Sequence, residues 1–264
     1  MNKELENMYI DLIEDNVNVS KTTDGKEFLI LLAGVFGIIL LIILFGNLIS
    51  NIFISNMSDK TQMRIEKMMG ELPKDNYLSD KYKKPYESLV KTRRDIIQKD
   101  KSLEGKSSFP IIFEENKDFN AWVMPNGVIT FTTSMLDKNL SDEELAFVLA
   151  HEIGHYKNRD HLKTISRQIV ISLALQIFTG SSNADFSSLA NTMSEMNFLN
   201  HSRTQESNAD KYASSMLIQI YGNNEGGIKF LNRLNELENY PELFSYFSTH
   251  PATKKRLKNI NPHK

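Results

Sequence analysis

The chain of 264 residues has no cysteine. Disulfides and thiolate metal ligands are therefore excluded, and any metal must be held by histidine, carboxylate or water. A basic surplus is also missing: Lys and Arg number 31 against 33 Asp and Glu, a net charge of -2. Nothing in that balance suits a polyanion, so nucleic acid drops out as a partner. Internal repeats and low-complexity tracts are absent. The length leaves room for a membrane segment plus one medium-sized domain with its own core, and excludes a large multidomain enzyme.

Long apolar runs are absent with one exception, FLILLAGVFGIILLIILFGNLI, residues 28–49. No charged side chain interrupts it, and at about 1.5 Å per residue it can cross a hydrocarbon core of about 30 Å. A buried core helix seldom stays apolar around its whole circumference for that length. The run is too long and starts too late for a cleaved signal peptide, and no small-x-small pattern follows Ile49. One transmembrane helix over 28–49 is the expectation. Lys21 and Lys26 before it and Lys60, Arg64 and Lys67 after it do not orient the span. A short tail ahead of an uncleaved anchor points to an extracytoplasmic main domain, with a cytosolic one as the alternative. A second apolar stretch, Ile169 to Phe178, is short and broken by Ser172 and Gln176, so a core helix is expected there.

Residues 1–27 form an acidic tail in which Leu5, Met8, Tyr9, Leu12 and Ile13 recur at helical spacing. This is an amphipathic helix, either lying on the protein's own surface or docking a partner. Charged helical patterns follow at roughly 59–72 and 78–101. From Phe109 the character changes: FPIIFEEN and AWVMPNGVITFTT are rich in β-branched and aromatic residues, and Pro125-Asn126-Gly127 supplies a tight turn. A small antiparallel sheet is expected, followed by helices, which makes the domain α+β.

Ser141 and Glu144 form an S-x-x-E capping box ahead of LAFVLAHEIGHY, so the HEIGH stretch at 151–155 lies on a helix. Four residues correspond to about 400° of rotation, which brings His151 and His155 onto one face, one turn apart, in reach of a single tetrahedral cation. Glu152 can lean over the same cleft as general base, taking a proton from the attacking water and passing it to the leaving amine. Hydrolytic zinc sites use three protein ligands. Two candidates compete for the third place. His161 fits H-E-x-x-H-x-x-G-x-x-H except that Asn158, which tolerates a left-handed backbone, stands at the glycine. Glu206 lies four residues before Asp210 on a predicted helix, where one carboxylate could bind metal and the other accept the free N–H of a ligand histidine.

Asn120-Ala121 with Pro125 and Gly127, HEIGH, Ser202-Arg203-x-x-Glu206-x-x-Ala209-Asp210, and Ser248-Thr249-His250-Pro251 with Arg256 together resemble the membrane-associated zinc metallopeptidases of the HtpX and CAAX-prenyl-protease type. The likeness covers roughly 109–260. It implies a mostly helical, zincin-like peptidase domain over 50–264 that binds one Zn2+ per chain through His151, His155 and Glu206. Glu152 would be the base, Asp210 the partner orienting a histidine, and His161 a non-ligand. His250 would donate to the developing oxyanion, or else be a structural histidine before a proline-started helix. Arg256 would hold the site together rather than touch substrate. The strand carrying Asn120, Ala121 and Trp122 would pair with an extended substrate backbone, or serve as an ordinary hairpin strand. His201 and His263 lack motif context and read as surface residues.

The function implied is a membrane-anchored zinc endopeptidase acting on proteins or peptides, misfolded or membrane proteins among them, in quality control or processing. The alternative is a membrane-anchored chaperone-like module whose zinc is structural and closed by four ligands. Processing of prenylated proteins is a minor possibility, because one span offers little to enclose a lipidated peptide.

Overall fold

The structure, a computed structural model, describes residues 24–68, 70–179, 201–236, 244–251 and 254–260. The amphipathic repeat of the N-terminal tail and His263 lie outside the described residues.

Helix α1, Asp24–Ser55, extends the 28–49 run at both ends, so the last residues assigned to the acidic tail are part of the helix. It is long and apolar enough to cross a membrane over Gly25–Ser55, and none of its most apolar stretch is buried within the chain. Helix α6, Asp160–Thr179, lies against it. At Gly46 a Cβ would come within 2.6 Å of Val170 Cγ1, so glycine lets the two helices touch. The second apolar stretch thus lies on a helix that pairs with α1, Val170 meeting Gly46.

Helix α2, Asp59–Met68, follows α1 after a short turn in which Ser58 Oγ accepts from Thr61 N at 3.2 Å. Helix α3 is Lys83–Lys99. Strands β1 (Ile111–Glu114), β2 (Ala121–Val123) and β3 (Ile129–Thr132) form one sheet in the order β1-β3-β2. The expected hairpin is there: Ala121 faces Phe131 and Val123 faces Ile129 in antiparallel register. Gly127 turns the chain at φ 87°, where a Cβ would lie 2.2 Å from Ser107 Oγ. The expectation of an antiparallel sheet is corrected at β1, which pairs with β3 in parallel, so the sheet is mixed. The β1–β2 connection carries the chain past the central position and β3 fills it afterwards; local alternation does not encode such non-local pairing.

The remaining α-helices among the described residues are α4 (Thr133–Leu136), α5 (Asp142–Lys157), α7 (Arg203–Tyr221), α8 (Glu225–Glu236), α9 (Phe244–Thr249) and α10 (Lys254–Ile260). The capping box read from the sequence starts α5: Ser141 Oγ accepts from Glu144 N at 3.2 Å, and Glu144 Oε2 accepts from Ser141 N at 2.8 Å. Such caps contribute about 1 kcal/mol. Every residue from Glu144 to Tyr156 is buried, and α5 packs on α3, α7, α8 and β2. Phe109, Phe113, Phe131, Phe147, Phe230 and Tyr246 fill the core around it.

Candidate metal centre

Gly154 is the residue that lets two helices make one site. A Cβ there would meet Ala209 Cα of α7 at 3.1 Å and Tyr212 Cδ1 at 3.2 Å. With glycine facing alanine, α7 seats close enough for Glu206, in its first turn, to reach the histidines of α5. That first turn is fixed by a second capping box, in which Ser202 Oγ accepts from Gln205 N and Gln205 Oε1 accepts from Ser202 N.

His151 Nε2 and His155 Nε2 lie 3.0 Å apart. Glu206 Oε1 is 3.2 Å from His155 Nε2, and Oε2 is 3.5 Å from His151 Nε2. His250 Nδ1 adds a fourth donor atom, 3.1 Å from Glu206 Oε1 and 3.4 Å from His151 Nε2. One atom from each of these four buried side chains falls within 4.8 Å of the others. The outer ring nitrogens face carboxylates: His155 Nδ1 is 3.0 Å from Asp160 Oδ2, and His151 Nδ1 is 3.0 Å from Asp210 Oδ1 without hydrogen-bond alignment. Assigning the proton to each Nδ1 leaves both Nε2 lone pairs facing the group.

The donor set suits a divalent cation by its chemistry. Among the described residues neither buried oxygen of Glu152 has a hydrogen-bond partner, nor does Glu206 Oε2. Native proteins rarely leave such atoms unmatched, and here they border a cluster of nitrogen and oxygen donors with no thiolate. Arg256 Nη1 approaches Glu206 Oε2 at 2.9 Å off the hydrogen-bond line, and its Nε and Nη2 each donate to Asp210 at 2.8 Å.

Burial pushes the Glu206 carboxyl up, but the charges of Arg256 and His250 and the contact with His151 outweigh it and hold the group well below the usual carboxylate range. Asp210 is lowered in the same way, against burial, by Arg256 and His151. For His155 burial works downward, yet Asp160 and Glu206 raise the imidazole to about 10. His151 is raised by Asp210 and Glu206 against burial and the charge of His155.

His250 Nε2 is 3.6 Å from Glu152 Oε1 and 3.4 Å from the Ala121 carbonyl oxygen of β2. Asn120 is buried, with its Nδ2 3.5 Å from Ser245 Oγ and its Oδ1 accepting from Ala121 N, and Trp122 is half-buried. β2 is an edge strand of the sheet.

His161 stands apart from the donor group. It is buried against Tyr156, and neither ring nitrogen has a hydrogen bond among the described residues. The residue carrying the left-handed backbone is Arg159 at φ 56°, whereas Asn158 is right-handed at φ -79°. His201, expected at the surface, stacks on His155 with ring centroids 3.8 Å apart and planes 11° apart. The Ser202–Gln205 capping box sets His201 just ahead of the helix that carries Glu206, but its place against His155 follows only from the packing of α7 on α5. Asp160, next to the HEIGH helix, was also not anticipated.

A family model described as Peptidase family M48 matches residues 91–263. Mitochondrial metalloendopeptidase OMA1 of Arabidopsis thaliana is 31% identical over 160 residues, 59% of this chain and 31% of that protein. Metalloprotease LoiP of Escherichia coli (strain K12) is 28% identical over 149 residues, 54% of this chain and 58% of that protein. Mitochondrial metalloendopeptidase OMA1 of Saccharomyces cerevisiae (strain ATCC 204508 / S288c) is 26% identical over 202 residues, 72% of this chain and 57% of that protein. The chain thus spans from about a third to just over half of the length of these curated relatives.

Proposed function

Because the chain belongs to peptidase family M48, we propose that it is a membrane-anchored zinc metalloendopeptidase that hydrolyses peptide bonds in protein or peptide substrates, with Glu152 as general base. The observation that carries this reading is the buried Glu152 carboxyl, without a hydrogen bond among the described residues, beside the donor atoms of His151, His155 and Glu206. Those three residues would hold the cation, and Zn2+ bound there supplies Lewis acidity for water and carbonyl at neutral pH. Glu152 takes a proton from the attacking water and delivers it to the amine nitrogen as the C–N bond breaks. Asp160 and Asp210 hold the histidine rings, and Arg256 braces Glu206 and Asp210 from behind. The nearness of His250 Nε2 to Glu152 and to the Ala121 carbonyl supports a donor role toward the oxyanion that forms on the scissile carbonyl. The free edge of β2, with Asn120, Ala121 and Trp122, would align an extended substrate by main-chain hydrogen bonds. Helix α1 would anchor the peptidase part as a single span. Protease accessibility of the C-terminus in intact against opened cells reports which side that part faces.

Glu152→Gln tests the chemistry. Cleavage of an unfolded protein should fall by about 10²–10⁴-fold, while one Zn2+ per chain stays bound; cleavage at the wild-type rate would refute the role.

A second reading has one observation in its favour, the fourth donor atom on His250. A zinc closed by four side chains would be structural, and the chain a binding module instead of a peptidase. His250→Ala separates the two: metal affinity collapses under the second reading, whereas under the first the metal stays and cleavage slows.

A further inference from the structure

The turn that joins α5 to α6 carries contacts of two kinds within six residues. Tyr156 and Arg159 bind the end of the apolar helix and the helix after it; His155 and Asp160 belong to the metal centre. Arg159 Nε donates to Gln62 Oε1 at 2.7 Å, and Nη2 donates to Asp59 Oδ1 at 2.8 Å. Its Nη1 donates to the main-chain oxygens of Ile54, at 3.0 Å, and Met57. Ile54 lies in the last turn of α1, where carbonyl groups have no partner within the helix, so the guanidinium caps the end of the apolar helix. Tyr156 Oη donates to Glu66 Oε1 at 2.7 Å, and Gln62 Nε2 donates to the same oxygen at 2.8 Å.

Arg159 adopts a left-handed backbone at φ 56°, a region that costs an L-residue about 1–2 kcal/mol. Its N–H donates to the Tyr156 carbonyl at 2.9 Å, and its own carbonyl accepts from Lys163 N at 3.1 Å, so this one residue turns α5 into α6. The strained turn is held in place by the bonds of the guanidinium. The next residue, Asp160, faces His155 Nδ1 at 3.0 Å. Its main-chain oxygen accepts from Thr164 Oγ1 of α6 at 2.9 Å and from Gln205 Nε2 of α7 at 3.4 Å, and its main-chain nitrogen is bonded directly to Arg159, so the backbone of Arg159 sets where Asp160 begins α6.

We propose that Arg159 is a positioning residue that ties the end of α1 to the orientation of His155 through its chain neighbour Asp160, so that the seating of the apolar helix on the domain sets the affinity of the metal centre. The proposal rests on the reading of His155 as a metal ligand given above.

The test uses the full chain, loaded with Zn2+ for affinity and with Co2+ for its visible spectrum. Arg159→Gln should lower Zn2+ affinity by about 10-fold, at the low end of what groups behind metal ligands contribute. It should also shift the Co2+ bands, with Arg159→Lys recovering part of both. Gln62→Leu, on the α2 side, should lower affinity a few-fold, and adding it to Arg159→Gln should cost nothing more. If Arg159→Gln does not fold, Gln62→Leu and Asp59→Asn carry the same test by trimming two of the guanidinium's partners. A merely structural arginine would lower thermal stability and leave affinity and spectrum unmoved, which overturns the link. Asp160→Asn then tells which reading failed: weaker Zn2+ binding in that variant leaves the metal centre intact and rejects only the coupling. Wild-type affinity in His155→Ala rejects the ligand reading and the proposal with it.

Discussion

In α1 almost every large apolar side chain is exposed, Phe28 at 64%, Ile30 at 69% and Phe53 at 66%, whereas in α5 everything from Glu144 to Tyr156 is buried, carboxylates and imidazoles included. Burial follows the surroundings that a helix is built for, and hydrophobicity is only half of that. Exposed apolar surface in water forfeits about 25 cal/mol per Å2, so a helix as apolar as α1 is suited to lipid. Buried charge is tolerated only where it is paired or binds an ion, so the polar residues of α5 need partners. Glu144 has them in its capping box and in Arg233, whose Nε donates to Glu144 Oε1 at 3.0 Å. His151 and His155 face Asp210 and Asp160. Among the described residues Glu152 has no hydrogen bond at either oxygen and only His250 Nε2 as a charged neighbour within ion-pair distance, at 3.6 Å, which is why it marks the site.

Removing a partner from the buried side of this comparison should have the largest effect. Glu206→Ala takes a carboxylate from the donor group and leaves Arg256 with Asp210 only. The protein should lose most of its zinc and about 3–5 kcal/mol of stability, the usual cost of breaking a buried ion pair. Metal analysis and thermal unfolding of the metal-free protein separate the two losses. Zinc retained at one per chain would mean that the carboxylate only neutralises Arg256.

The exposed side is tested by charging it. Leu40 is 47% exposed near the middle of α1. Leu40→Lys should cost about 2.5–3.5 kcal/mol of membrane insertion and release chain from the membrane fraction, while Zn2+ content of the soluble part stays the same. Unchanged membrane retention would show that α1 does not meet lipid at Leu40.

What was legible in the sequence was what local chemistry dictates. The capping box, the spacing of His151 and His155 and the Pro125-Asn126-Gly127 turn each work within a few residues, and each stands where it was read, while the apolar run lies inside a longer helix. The residues alone left Glu206 and His161 competing for the third place, and only resemblance favoured Glu206 and brought in Arg256, since the approach of α7 to α5 depends on Gly154 meeting Ala209. Three features needed the tertiary fold: the parallel pairing of β1 with β3, the stacking of His201 on His155, and the left-handed turn at Arg159. In the last case the side chain's bonds to another helix outweigh the backbone preference that favours Asn158.

His161 offers the finest test, because it is a buried histidine beside the site whose ring nitrogens have no hydrogen bond among the described residues. Burial pushes its imidazole down to about 3, with His155, Lys163 and Arg159 reinforcing the effect and Asp160 opposing it. In the unfolded chain the ring titrates near 6.5. A depressed folded value means that stability is fully present above pH 6.5 and is lost as the pH falls toward 3, because the unfolded chain binds the proton first. Between pH 8 and pH 5 this one residue should cost about 2 kcal/mol. His161→Leu should remove that slope, bind zinc as the wild type does, and be at least as stable at pH 8, since two unpartnered nitrogens leave the core. Unfolding midpoints of both proteins at the two pH values measure the difference. Loss of zinc in this variant would return His161 to the ligand set and leave Glu206 as the brace for Arg256.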